Sequence, residues 1–150
     1  ISDETGIPII HMVREIAKCL VSKKVKTVGI MATEGTIYSK LFQIELEKHG
    51  ISSLIPSQKN QDNVNWLIYK NIKANQYPEM DRFNQASEEL WNKGAEAIVL
   101  GCTELSLIKR DNDLGPGYID GMEVLAKRCV ELCGGKLKDE YKELCSKRNK

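Results

Sequence analysis

The sequence predicts an α/β fold in which an open parallel sheet is flanked by helices, three layers in the order α/β/α. Three observations predict it. Short, nearly continuous apolar runs at Lys26–Ala32 and Ala95–Leu100 have the composition of strands buried on both faces, as parallel strands are. These runs alternate with longer stretches whose apolar residues recur at helical spacing, the grammar of β-α-β units. The chain has 150 residues, 41% of them hydrophobic, enough for one domain with a sizeable core.

Taken in order, Ile10–Val21 reads as an amphipathic helix following Pro8. Lys26–Ala32 is the first strand, and Thr33-Glu34-Gly35-Thr36 makes a polar turn at its carboxyl end. Ile37–His49 has a helical pattern, with Gly50 placed to cap it. Ile51–Ile55 is a second strand, ended by Pro56. Gln61–Ala74 brings Val64, Leu67, Ile68 and Ile72 to one face of a helix. Asp81–Asn92 does the same with Phe83, Ala86, Leu90 and Trp91, and Gly94 lies just past its end. Ala95–Leu100 is the next strand, carrying Gly101-Cys102-Thr103-Glu104 at its carboxyl end. Gly115-Pro116-Gly117 breaks the chain before a short Tyr118-Ile119-Asp120 stretch. Met122–Leu132 should then be helical up to Gly134-Gly135, and the Lys-rich segment from Lys136 to Lys150 is amphipathic at best and partly frayed. In open α/β sheets ligands bind beyond the carboxyl ends of the strands, so the two polar turns should face one cleft.

Composition removes several function classes. The 22 Lys and Arg side chains against 21 Asp and Glu leave a net charge of +1, which gives no electrostatic reason to expect nucleic acid or an acidic membrane as partner. There is no run of about 18 apolar residues of the kind a membrane-spanning helix needs. No secretory leader pattern follows Ile1, and a cytoplasmic location is the expectation. The five cysteines, Cys19, Cys102, Cys129, Cys133 and Cys145, contain no Cys-x-x-Cys pair. Cys129 and Cys133 share a helical face and read as ordinary packing, so no metal site is expected and all five thiols are expected reduced.

Cys102 is the residue with most chemical potential. It ends a buried strand and precedes Thr103-Glu104-Leu105, which can begin a short helix whose dipole would favour a thiolate. A small apolar residue filling space at a strand end is the competing reading. Thr33 and Thr36 flank Gly35 in the other turn, where hydroxyls and backbone N–H groups can hold a carboxylate, or where Thr36 simply caps the following helix. The turn lacks the glycines of a dinucleotide site and the Gly-Lys-Ser/Thr of a P-loop. Lys73 ends a helix, a favourable place for a cation with no further role. His11 and His49 have no matching partners and are given no catalytic part.

Val28-Gly29-Ile30-Met31-Ala32-Thr33-Glu34-Gly35-Thr36 and Gly94-Ala95-Glu96-Ala97-Ile98-Val99-Leu100-Gly101-Cys102-Thr103-Glu104-Leu105 resemble the aspartate/glutamate racemase family. Ile7-Pro8-Ile9-Ile10-His11-Met12, Pro56-Ser57-Gln58, Ile68-Tyr69-Lys70-Asn71-Ile72-Lys73 and Tyr118-Ile119-Asp120 match in the same order. Glutamate racemases usually carry Gly-Cys-Thr-His where Glu104 stands here, so the resemblance is to the aspartate branch.

The resemblance implies racemisation of an acidic amino acid without a cofactor, by two cysteines on opposite faces of Cα. It makes Cys102 one of the two thiols and Thr33, Thr36, Lys73, Thr103 and Glu104 substrate-binding residues. Thr103 would offer its hydroxyl and N–H, and Lys73 would meet the acidic side chain. Glu104 would orient either the substrate amine or the thiol. The Cys-Asn-Thr motif that carries the first catalytic cysteine in the family has no match in this chain. The chain therefore resembles the C-terminal part of a two-domain racemase, one of two similar domains, inactive or nearly so by itself and homodimeric when whole. Residues from about 122 to 150 would then pack on the other half. Two alternatives accompany this expectation: a non-catalytic ligand-binding domain of the same fold, and a hydantoin-type racemase.

Overall fold

The computed structural model describes residues 6 and 9–148. Helix α1 (Met12–Ser22), strand β1 (Thr27–Met31), helices α2 (Glu34–Tyr38) and α3 (Leu41–Glu47), strand β2 (Ser52–Leu54) and helix α4 (Gln58–Trp66) follow in order. Helix α4 runs directly into a π-helical segment, Leu67–Ile72. After it come α5 (Met80–Asn92), β3 (Ala97–Leu100), α6 (Thr103–Asp111), β4 (Tyr118–Asp120), α7 (Gly121–Leu132) and a 3-10 turn at Asp139–Tyr141. Ile1, Ile7 and Pro8, which entered the sequence reading, lie outside the described residues.

The strands form one sheet in the order β2-β1-β3-β4, every neighbouring pair parallel. Side-chain alternation divides the core into two layers. Val28, Ile30, Ala97, Val99 and Ile119 pack against α1, α3 and α7, whereas Met31, Ile98 and Leu100 pack against α4, α5 and α6. This is the three-layer architecture expected from the apolar runs. Gly29 lets α5 approach the sheet, because a Cβ there would stand 3.0 Å from Leu90 Cδ1 and 3.1 Å from Ile98 Cγ1. From β1 the chain passes to β2 on one side, then crosses to β3 on the other, so strand order reverses between β1 and β3. The residues after Met31 and Leu100, which are register partners, therefore sit at the switch point where parallel sheets open a crevice.

Three local expectations are corrected. The helix expected over Ile37–His49 begins earlier and is broken: α2 ends at Tyr38, and Lys40 adopts a left-handed φ of 55° before α3. The side chains of Ser39 and Gln43 take the carbonyls of Thr36 and Ile37, satisfying α2 locally and releasing the chain to turn. The helix expected over Gln61–Ala74 starts at Gln58 and changes to π geometry at Leu67.

The third correction concerns the cysteines. Cys19 and Cys145 form a disulfide across a sequence separation of 126, so these two are not reduced thiols; Cys102, Cys129 and Cys133 are free. The pairing follows from the course of the tail. Beyond the 3-10 turn the tail is extended rather than helical and crosses the amino end of the sheet. The Arg148 N–H donates to the Glu96 carbonyl at 2.9 Å, and Lys147 Nζ reaches Glu96 Oε1 at 2.6 Å. The Gly117 N–H donates to Ser146 Oγ at 3.1 Å, and the Arg148 guanidinium lies 4.9 Å from the Trp91 ring centroid. These contacts seat Cys145, 3% exposed, in the core layer beside Cys19. Helix α7 packs on α1, with Arg128 3.6 Å from Glu15. Among the described residues no helix is long and apolar enough to cross a membrane.

Candidate active site

The carboxyl end of β3 delivers Gly101 and then Cys102, which occupies the N-cap position of α6 with φ −140° and ψ 139°. Gly101 is needed for the approach: a Cβ would meet Phe42 Cζ at 3.0 Å and Ala32 Cβ at 3.2 Å. Cys102 Sγ donates to Glu104 Oε2 at 2.7 Å, and Thr103 Oγ1 donates to the same oxygen at 3.0 Å. The other carboxylate oxygen faces Lys73 Nζ at 3.6 Å. Lys73 follows the π-helical segment and lies 4.8 Å from the Tyr69 ring centroid. The wider π turn, a geometry enriched at functional sites, ends where Lys73 meets Glu104.

Of the two readings that the sequence leaves open for Cys102, the local electrostatics disfavour the dipole-stabilised thiolate. Burial, followed by the hydrogen bond to the Glu104 carboxylate, pushes the Cys102 thiol up to about 11. A short helix terminus does not outweigh these two effects. At neutral pH Cys102 is therefore a protonated thiol. Glu104 is its counterpart: burial opposes its charge, but the hydrogen bonds from Cys102, its own backbone N–H and Thr103, with the nearby Lys73 cation, hold the carboxyl below its ordinary value. The unit at this strand end is thus S–H, carboxylate and ammonium, in that order.

Lys73, Thr103 and Glu104 share the wall of a cavity of about 470 Å³, completed by Ile72, Ser106 and Leu107 among others. Cys102 joins that group through its bond to Glu104. Thr33 and Thr36 are placed at the neighbouring strand end but are engaged with each other. Thr33 is the N-cap of α2, its hydroxyl accepting from the Thr36 N–H at 3.3 Å and standing 2.9 Å from the Thr36 hydroxyl. The capping residue is therefore Thr33 and not Thr36.

Two residues of this sheet edge are missing from the sequence reading. Gln61, 5% exposed, donates to the Ala32 carbonyl at 2.8 Å, and Asn65 Oδ1 accepts from the Glu34 N–H at 3.3 Å. Together they hold both ends of the turn that bears Thr33. Their only sequence signal is a pair of amides one helical turn apart beside the apolar stripe of α4, which is indistinguishable from a solvated face until β1 is placed against it.

The family model of Asp/Glu/Hydantoin racemase matches residues 1–129. An uncharacterized protein in the pnlA 3' region of Pectobacterium carotovorum is 31% identical over 106 residues, covering 69% of this chain and 71% of that protein. A glutamate racemase of Shewanella frigidimarina is 28% identical over 126 residues, 81% of this chain but 48% of that protein. The Picrophilus torridus aspartate racemase superposes with a TM-score of 0.69 at 27% identity, over 88% of this chain and 55% of that one. An aspartate racemase homologue from Pyrococcus horikoshii superposes with a TM-score of 0.78 at 20% identity, over 89% and 59%. The chain thus spans about half of the glutamate racemase and under two thirds of both structural neighbours.

Proposed function

The chain belongs to the Asp/Glu/hydantoin racemase family, and from that premise we propose that it carries one thiol half of a cofactor-independent racemase for an acidic amino acid, aspartate foremost. The observation that supports this reading is the free Cys102 thiol donating at 2.7 Å to Glu104, itself 3.6 Å from Lys73. A two-base racemase needs one sulfur that removes the α-proton and another that delivers a proton to the opposite face. A thiol held near 11 is suited to the second task in the resting state. In that direction the partner thiolate takes the α-proton, the substrate α-carbon takes the Cys102 proton, and Cys102 is left as the thiolate that starts the reverse reaction.

The remaining residues have roles consistent with this. Glu104 orients the Cys102 S–H by accepting it, and its negative charge disfavours the thiolate; the proton that restores the thiol comes from the substrate α-carbon in the reverse direction or from solvent. Lys73 offers a cation to the substrate's side-chain carboxylate, an interaction for which Glu104, 3.6 Å away, competes. Thr103 offers a hydroxyl, and the Thr33–Thr36 turn follows β1, whose Met31 is the register partner of Leu100. The second thiol, in this proposal, comes from residues outside this chain. Cys19 and Cys145 are joined to each other, and Cys129 and Cys133 are exposed on or just after α7.

The test is α-proton exchange and optical inversion of L- and D-aspartate in heavy water. In a protein containing both halves, Cys102→Ala should lower racemisation by about 10²–10⁴-fold, the usual contribution of a positioned acid or base. This chain alone should give none above the uncatalysed rate. Racemisation that survives Cys102→Ala overturns the catalytic assignment, and robust turnover by this chain alone overturns the half-site reading.

A further inference from the structure

We infer that Asp120 is a positioning residue that fixes the orientation of the Cys102–Glu104 pair beside the cavity, by clamping Ser106 to the carboxyl end of β4. This rests on the racemase reading only for the use to which the cavity is put; the clamp itself is a matter of geometry.

Asp120 is 3% exposed, an expensive place for a carboxylate unless it is well hydrogen-bonded. Its Oδ1 accepts the Met122 N–H at 2.8 Å, which makes it the N-cap of α7, and also the Ser106 hydroxyl at 2.7 Å. Capping accounts for the first bond. The second reaches across to α6, and nothing in the α7 terminus requires it.

Ser106 is the informative partner. It is one turn into α6, and its N–H reaches back to the Cys102 carbonyl at 3.4 Å. It also lines the cavity with Thr103, Glu104 and Lys73. Asp120 in turn is the register partner of Leu100, two residues before Cys102. The closed path therefore runs from Leu100 through Gly101 to Cys102, across the first turn of α6 to Ser106, through its hydroxyl to Asp120, and across the sheet to Leu100. Such a ring leaves the Cys102–Thr103–Glu104 segment little freedom to rotate. The 2.7 Å bond between Cys102 and Glu104 depends on that orientation.

The experiment measures the pH dependence of Cys102 alkylation by iodoacetamide in the full chain, resolved from Cys129 and Cys133 by peptide mass spectrometry, with thermal unfolding as a control for folding. Ser106→Ala leaves the α7 cap intact and removes only the clamp. It should move the Cys102 midpoint down by about one pH unit, the size expected when one charge-assisted hydrogen bond is weakened. Asp120→Ala should do the same with an added loss of stability. Asp120→Asn keeps an Oδ1 acceptor for both donors and should return the midpoint to within about 0.3 units of the original. If Asp120→Ala does not fold, Ser106→Ala carries the test. A folded Ser106→Ala with an unmoved midpoint overturns the clamp. A shift in Asp120→Asn as large as that in Ser106→Ala also overturns it, because charge rather than geometry would then be at work. No turnover is measured, so failure here leaves the Cys102→Ala racemisation result to stand or fall separately.

Discussion

The two ends of the sheet use the same residue type in opposite ways. At the amino end Cys145 is buried, joined to Cys19, and surrounded by a tail that hydrogen-bonds across β3 and β4. At the carboxyl end Cys102 is only partly buried, free, and bonded to a carboxylate. Parallel strands make this division natural. All their carboxyl ends emerge together, and with a reversal of strand order they open a crevice there. Their amino ends collect returning connections and can be closed over. Stability can thus be concentrated at one end while the other keeps a reactive group accessible.

The largest test of that division is to cut the tie. Cys145→Ser, or reduction by a small dithiol, should cost about 3–5 kcal/mol on the chain-entropy estimate for a long loop, measured by urea or thermal unfolding. The alkylation profile of Cys102 should not move, and a shift there would mean that the two ends are coupled. Next in size is Gly101→Ala, whose methyl group would press on Phe42 and Ala32. A loss of about 1–3 kcal/mol is expected from overpacking, together with faster alkylation of a displaced Cys102. An unchanged midpoint of urea unfolding would show that Phe42 yields without cost.

Smaller effects separate the ends electrostatically. Glu104→Gln removes the anion that, after burial, most disfavours the thiolate, so Cys102 should titrate below about 11 and react about tenfold faster at pH 8. No change would assign the whole upward shift to burial. At the other end Glu96 is held down to about 2, first by Lys147 and then by the Lys26 N–H. A depressed carboxyl supplies stability above its ordinary value of 4.5 and loses it as the pH falls through about 2. Because this pair is partly exposed, the effect should be about 1 kcal/mol or less, and Glu96→Gln should flatten that acid limb.

Much of the site's location was legible in the chain. The strand run ending in Gly101-Cys102-Thr103-Glu104 and the polar turn after Met31 are local patterns, and parallel topology brings their ends together. The roles within the site were less legible. Position alone leaves Cys102 open between a dipole-favoured thiolate and a space-filling residue, and burial with Glu104 disfavours the thiolate. Thr33 rather than Thr36 caps α2, because a cap depends on where helical φ and ψ begin. Gln61 and Asn65 were missed because polar residues on a helix acquire meaning only when a backbone edge lies against them.

The sequence by itself determined the layers, the parallel strands and the chemistry available at their carboxyl ends, since apolar periodicity and turn residues act over a few positions. Only the tertiary structure decided which cysteines pair, where the tail runs, and how Asp120 reaches Ser106. Each joins residues that are distant in the chain, 126 positions apart for Cys19 and Cys145. Such contacts form because a packed core brings surfaces together, and no local pattern encodes which surfaces meet.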